Sequence, residues 1–212
     1  MGTATELPRT QARGAQTRAR ILDVAQDSIL AKGFEATSIE EIVAAADITR
    51  SGFFYHFRDK NELARALLEK SIETDRALLA DVFRRGHELS EDPLHAVLIG
   101  LKLLAETLAE LPNGHPGCIV TAVCYQERLF DAGVRALNRR AVLDWRAQFL
   151  AELEMVAAHY APREPVDLVA LADLLSATIE GGIVLAKALG EPALLAQQVM
   201  LQRGYIRLLF AP

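Results

Sequence analysis

The chain has 212 residues, of which 51% are apolar and 6% aromatic, and a formal net charge of −5. That apolar share excludes wholesale disorder, and the dominance of Ala and Leu without alternating β-branched runs excludes a sheet protein and predicts an all-α fold. The negative total argues against nucleic acid only if charge is spread evenly, and it is not: residues 1–60 carry eight Lys/Arg and eight Asp/Glu, whereas residues 61–212 carry fifteen and twenty.

In chain order, residues 1–14 are polar, with Pro8 and Gly14, and are expected to form a flexible basic arm. Arg9, Arg13, Arg18 and Arg20 face only Glu6 over residues 1–20, so this end is either a solvated tail or a tracker of DNA backbone and minor groove. The spacing of Ile21, Ala25 and Ile29 predicts a helix from about Gln16 to Ala31, ended by Gly33 as a left-handed cap. Ser38 with Glu41 three residues on reads as a capping box for a short second helix. Asp47 marks a turn, Thr49 caps a third helix to about Tyr55, and Asp59 caps a long fourth through Leu63, Leu67, Leu78 and Val82 to about Arg85. Gly86 and Ser90-Glu91-Asp92 read as a break. Further helices are predicted from Asp92-Pro93 to near Leu111, over Cys118–Tyr125, Glu127–His159 and Val166–Leu189, the last closed by Gly190, and from Glu191-Pro192 to Phe210. Domains are placed at 15–58, a three-helix head, and 59–212, a six-helix domain.

Two short capped helices around a tight turn, between Ser38 and Tyr55, suit a helix-turn-helix, whose second helix presents its first residues to base edges in the major groove. Those residues are Thr49, Arg50, Ser51 and Gly52. Arg50 is able to donate two bonds to guanine, Ser51 to bond base or phosphate, and Gly52 lets the backbone approach. Phe53 and Phe57 read as core pins for this helix. Lys60 sits at a helix start, against the macrodipole, which makes sense if a phosphate shares the site.

The segments Thr17-Arg18-Ala19-Arg20-Ile21-Leu22, Gly33-Phe34-Glu35-Ala36-Thr37-Ser38-Ile39 and Ser51-Gly52-Phe53-Phe54-Tyr55-His56-Phe57-Arg58-Asp59-Lys60 resemble the tetracycline-repressor (TetR/AcrR) family. The resemblance covers roughly residues 15–63; behind it only the pattern of six helices matches. It implies a homodimer on a palindromic double-stranded DNA operator, pairing through the helices near 166–189 and 192–210, and a small hydrophobic effector in the helical domain that moves the two heads apart. By the family pattern Thr37 or Ser38, Tyr55, His56 and Lys60 contact phosphates, and Thr49, Arg50, Ser51 and Gly52 face bases. Asp47 stands where members usually have glycine, and Phe54, in a position where many have tyrosine, brings no hydroxyl to its contact with DNA.

Behind the head, Phe83, Cys118, Cys124, Tyr125, Trp145, Phe149 and Glu180 are candidate pocket residues, with plain core as the alternative for the apolar ones. Glu180 within an apolar helix either enters the pocket, faces solvent or pairs across the dimer, and the adjacent Gly181-Gly182 points to close helix approach. Cys118 and Cys124 are expected to be reduced core residues of a cytoplasmic protein, with no signal peptide and no membrane span. The five histidines lack metal-site spacing, no nucleophile–base signature or phosphate loop is found, and neither a catalytic residue nor a cofactor is expected. The expected function is a ligand-released transcriptional repressor; the alternatives are an activator, an effector-independent DNA binder, or, in another class, a helical enzyme or protein-interaction module.

Overall fold

A computed structural model describes residues 9–211, with side chains from Arg13 onward. The described residues form nine α-helices: α1 Arg9–Ala36, α2 Ile39–Ala45, α3 Arg50–His56, α4 Lys60–Leu89, α5 Pro93–Ala109, α6 Ile119–Tyr125, α7 Ala132–Ala157, α8 Leu168–Leu189 and α9 Ala193–Phe210. The arm expected over residues 1–14 falls largely outside the described residues, and its described part, from Arg9, already belongs to α1. The predicted seventh helix divides in two. A single tight turn at Glu127–Leu129 precedes α7, which starts only after Asp131, whose carboxylate accepts from the Val134 N–H at 2.9 Å.

The caps follow their side chains. Ser38 accepts from Glu41 N–H at 3.1 Å, Thr49 from Gly52 at 3.0 Å, Asp59 from Glu62 at 2.9 Å and Asp92 from His95 at 2.8 Å. Each bond satisfies a donor that the first helical turn leaves open. Asp47 adopts φ 49°, the left-handed turn expected of it, and Gly190 closes α8 at φ 68°. Gly33 has φ 86° and ψ 164°, an extended left-sided conformation that kinks α1 instead of the predicted left-handed helical cap.

Gly86 is not a break. It lies buried inside α4, and a β-carbon there would come within 2.3 Å of the Ala96 carbonyl oxygen. It is the point where α4 and α5 cross closely.

Buried apolar residues form two clusters, and their border does not fall at residue 58. The head cluster, from Ile21, Phe34, Ile42, Phe53 and Phe57, continues into α4 as far as Ile72, into α6, and into α7 through Val134 and Ala141. The second cluster joins the far half of α4 to α5, α7, α8 and α9. Trp145 packs against both.

Among the described residues, one helix, α8, is long and apolar enough to cross a membrane. Its Leu171, Ala172, Leu175, Ile183 and Ala186 are buried within the fold, and it also carries Asp173, Glu180 and Lys187. Other apolar side chains of α8, Val184 and Leu185 among them, are exposed in the single chain.

Candidate functional site

Phe53 and Phe57 are buried and pin α3, which turns the other side of this helix outward. Arg50, Ser51, Phe54 and Tyr55 are exposed there, Tyr55 to 84%. The Thr49 and Ser51 hydroxyls lie 3.0 Å apart. The Arg50 guanidinium lies over the Phe54 ring at 5.7 Å and pairs with Glu40 of α2 at 3.1 Å. An ion pair this exposed is worth about 0–1 kcal/mol, so it holds the guanidinium without preventing exchange for another partner. Arg18 of α1 lies over the Phe57 ring at 5.0 Å and lowers the pKa of His56, adding to the larger effect of burial. His56 is therefore a neutral N–H donor at neutral pH.

Two residues expected at phosphates are engaged within the head. Thr37 is fully buried, with its hydroxyl donating to the Gly33 carbonyl at 2.9 Å and 3.1 Å from the Ser28 hydroxyl. Of the pair Thr37 and Ser38, only Ser38 is exposed. Lys60 points back into the head and donates to the Phe34 carbonyl at 2.6 Å; burial lowers its pKa, opposed by Glu35. It closes the end of α1, a role that the macrodipole at its own helix start does not reveal. Glu41 is drawn to Lys32 at 2.5 Å and Ser28 at 3.1 Å, and these partners, Lys32 foremost, hold its carboxyl below the usual range.

Behind the head lies a cavity of about 390 Å³. Of the candidate pocket residues, Cys118, Trp145, Phe149 and Glu180 line it. The other three do not. Phe83 is core, packed edge-on against Phe149 with centroids 6.1 Å apart. Tyr125 is 84% exposed, and Cys124 is exposed rather than core, accepting from Asn138 at 3.0 Å in a separate cleft. Sequence alone does not separate these from the lining, because α6 is a short helix whose two faces are both apolar or weakly polar.

Glu180 belongs to the cavity and accepts the Thr121 hydroxyl at 2.6 Å. Burial and the nearby Glu180 push the Cys118 thiol up to about 12, which leaves it an unreactive thiol. The lining also contains residues missed from sequence: Asp75, Ser71 and Thr74 of α4, His115 of the loop before α6, Ser176 of α8, and Gln26 of α1. Asp75 follows the polar side of a long amphipathic helix and reads in sequence as solvated. Burial pushes its carboxyl up to about 6, against the smaller opposing effects of Ser71 and Trp145.

Three side chains from outside α1 hold its end. Gln126 accepts from the Phe34 N–H at 2.8 Å and the Glu35 N–H at 3.4 Å, filling the space beside Gly33. Lys187 of α8 donates to the carbonyls of Leu30, at 3.3 Å, and Pro116, at 2.8 Å. Lys60 of α4 holds Phe34 from the other side.

Residues 21–67 match the model for bacterial regulatory proteins of the tetR family. A probable HTH-type transcriptional regulator, ArpR of Pseudomonas putida, is 34% identical over 103 residues, covering 49% of this chain and 46% of that protein. The HTH-type transcriptional repressor BepR of Brucella suis is 28% identical over 101 residues, 46% of this chain and 47% of that one. The chain thus spans about half the length of these curated relatives. Solved structures share the whole fold. A TetR-family transcriptional regulator from Agrobacterium tumefaciens aligns with TM-score 0.76 at 20% identity over 93% of this chain and 100% of that chain. A TetR transcriptional regulator from Chloroflexus aurantiacus aligns with TM-score 0.75 at 24% identity over 94% and 98%. Residues 21–67 thus match the tetR family of bacterial regulatory proteins in sequence, and the helices as a whole share the fold of solved regulators of that family.

Proposed function

We propose that this chain is a dimeric, sequence-specific DNA-binding regulator, a repressor that leaves its palindromic operator when a small molecule fills the cavity behind the head. The observation that carries the reading is the outward display of Arg50, Ser51, Phe54 and Tyr55 on a helix pinned from beneath by Phe53 and Phe57. A helix placed so is ready for a major groove. The dimer is supported by the outer faces of α8 and α9, where Val184, Leu185, Leu201, Tyr205 and Leu208 are exposed and Gly181 and Gly204 have open space above them. A second copy would cover this face and allow close helix approach. The effector mechanism is differential binding: a ligand that prefers the DNA-incompetent arrangement shifts the equilibrium by the ratio of its two affinities.

The test is operator selection from random duplexes, followed by anisotropy titrations. A palindrome with half-sites about one helical turn apart is expected, with affinity falling steeply as salt rises. Leu201→Glu, at a residue 67% exposed in the single chain, is expected to yield a monomer with little operator affinity. Selection that returns no enriched sequence would overturn the reading.

A further inference from the structure

We infer that the cavity takes an organic cation, an ammonium or amidinium group carried on an apolar or aromatic body. This rests on the reading that the cavity is an effector site. Two carboxyl groups, Asp75 from α4 and Glu180 from α8, line the same 390 Å³ space and are close enough to interact electrostatically. Among the described residues neither forms an ion pair. Lys70 also lines the cavity, but its ammonium is paired with Asp23 at 2.7 Å, and Lys187 donates to the Pro116 and Leu30 carbonyls. His115, at the cavity wall, is held neutral by burial, the main cause of its lowered pKa. The Ser176 hydroxyl is buried on the same wall without a hydrogen-bond partner.

Two acids that form no ion pair of their own in a partly apolar space favour a cationic guest over a neutral one, and an anion least of all. The rest of the wall suits the body of such a molecule: Leu78, Leu104, Ile183 and Phe149 are apolar, and Trp145 and Phe149 bring aromatic rings, which attract cations, to the wall. The unpartnered Ser176 hydroxyl adds an acceptor for an ammonium N–H.

Trp145 is the single tryptophan of the chain and lines the cavity, so its emission reports occupancy. Three probes of matched size are titrated near pH 8, where Asp75 is ionised: benzyltrimethylammonium, its uncharged carbon isostere neopentylbenzene, and phenylacetate. The cation is expected to bind about ten-fold or more tighter than the isostere, with phenylacetate weakest. Asp75→Asn with Glu180→Gln, near-isosteric changes that keep the Thr121 bond, are expected to reduce the preference to less than about three-fold. Circular dichroism checks their fold, and either single variant serves if the double one unfolds. A neutral probe that binds as well as the cation, or a preference that survives in the folded variants, overturns the inference. If the neutral probe also releases operator DNA, the effector reading stands and only the chemical class falls. If no probe changes either Trp145 emission or operator binding at millimolar concentration, the cation inference falls with the effector role of this cavity, while operator binding itself stands.

Discussion

Arg50 and Lys60 carry the same charge on the same head, yet one faces outward and the other is held inward. Arg50 is exposed and held only by a surface pair with Glu40. Arg50→Ala is expected to cost about 1–3 kcal/mol of operator binding and to relax one base position, with no change in melting temperature. Lys60 closes the end of α1 on the Phe34 carbonyl from a half-buried position. Lys60→Ala is therefore expected to cost about 1–2 kcal/mol of folding stability, a fall of several degrees in a thermal melt. A Lys60→Ala protein with an unchanged melt and a salt slope reduced by about one would return this residue to a phosphate. The difference between these two basic residues is not legible in a linear pattern, since it depends on Gly33 turning the end of α1 towards α4. The same turn buries Thr37 and leaves Ser38 outside. The caps at Ser38, Thr49, Asp59 and Asp92 were legible because each is a contact within one turn of its own residue.

At the scale of elements, two adjacent glycines of α8 have different surroundings. A β-carbon on Gly182 would come within 2.8 Å of Leu195 Cδ1 and 3.2 Å of its Cα, so this glycine serves the crossing of α8 with α9 inside one chain. Gly181 has nothing within 4 Å. Gly182→Ala is expected to destabilise the fold by about 1–3 kcal/mol through overpacking. Gly181→Ala should leave the single chain unstrained and act instead on assembly, raising the dimer dissociation constant in sedimentation equilibrium. If Gly181→Ala leaves that constant unchanged, the open face is not where the copies meet closely. Sequence shows that such glycines are costly inside a helix, and so that something approaches, but not whether the neighbour is the same chain or another. Gly86 illustrates the ambiguity: beside a polar stretch it reads as a helix end, and only the nearness of the Ala96 carbonyl shows it as a crossing point. Helix order was legible from amphipathic spacing and end signals. The cavity was legible in part, since its wall is assembled from α1, α4, α5, α6, α7 and α8, and no one period marks a residue facing a space between six helices.

In the whole molecule, the cavity sits where the two apolar clusters meet, and Asp75 gives its wall a charge that depends on pH. The carboxyl of Asp75 is raised from an ordinary 3.8 to about 6, so the folded chain binds this proton more tightly than the unfolded chain does. The stability from that preference is fully present below about 3.8 and is lost as pH rises through about 6. Asp75→Asn removes the cost of the ionised form and is expected to stabilise the protein by about 1–2 kcal/mol near pH 8, allowing for partial solvent access. A bound cation acts in the reverse sense: it favours the ionised carboxylate and draws its pKa down. Binding of benzyltrimethylammonium should therefore weaken as pH falls through about 6, and binding near that pH should release a fraction of a proton. Ser71, Trp145 of α7 and Glu180 of α8 act on the carboxylate, and Lys70 (paired with Asp23), Thr74, the Cys118 thiol and His115 share its cavity. His115 titrates below its ordinary 6.5 and opposes the cation when protonated, so it acts in the same direction. Calorimetry in two buffers of different ionisation enthalpy measures the proton, and Asp75→Asn removes the share that belongs to Asp75. Proton uptake on binding, or a release unaltered in Asp75→Asn, would place the charge that meets the ligand elsewhere in the wall.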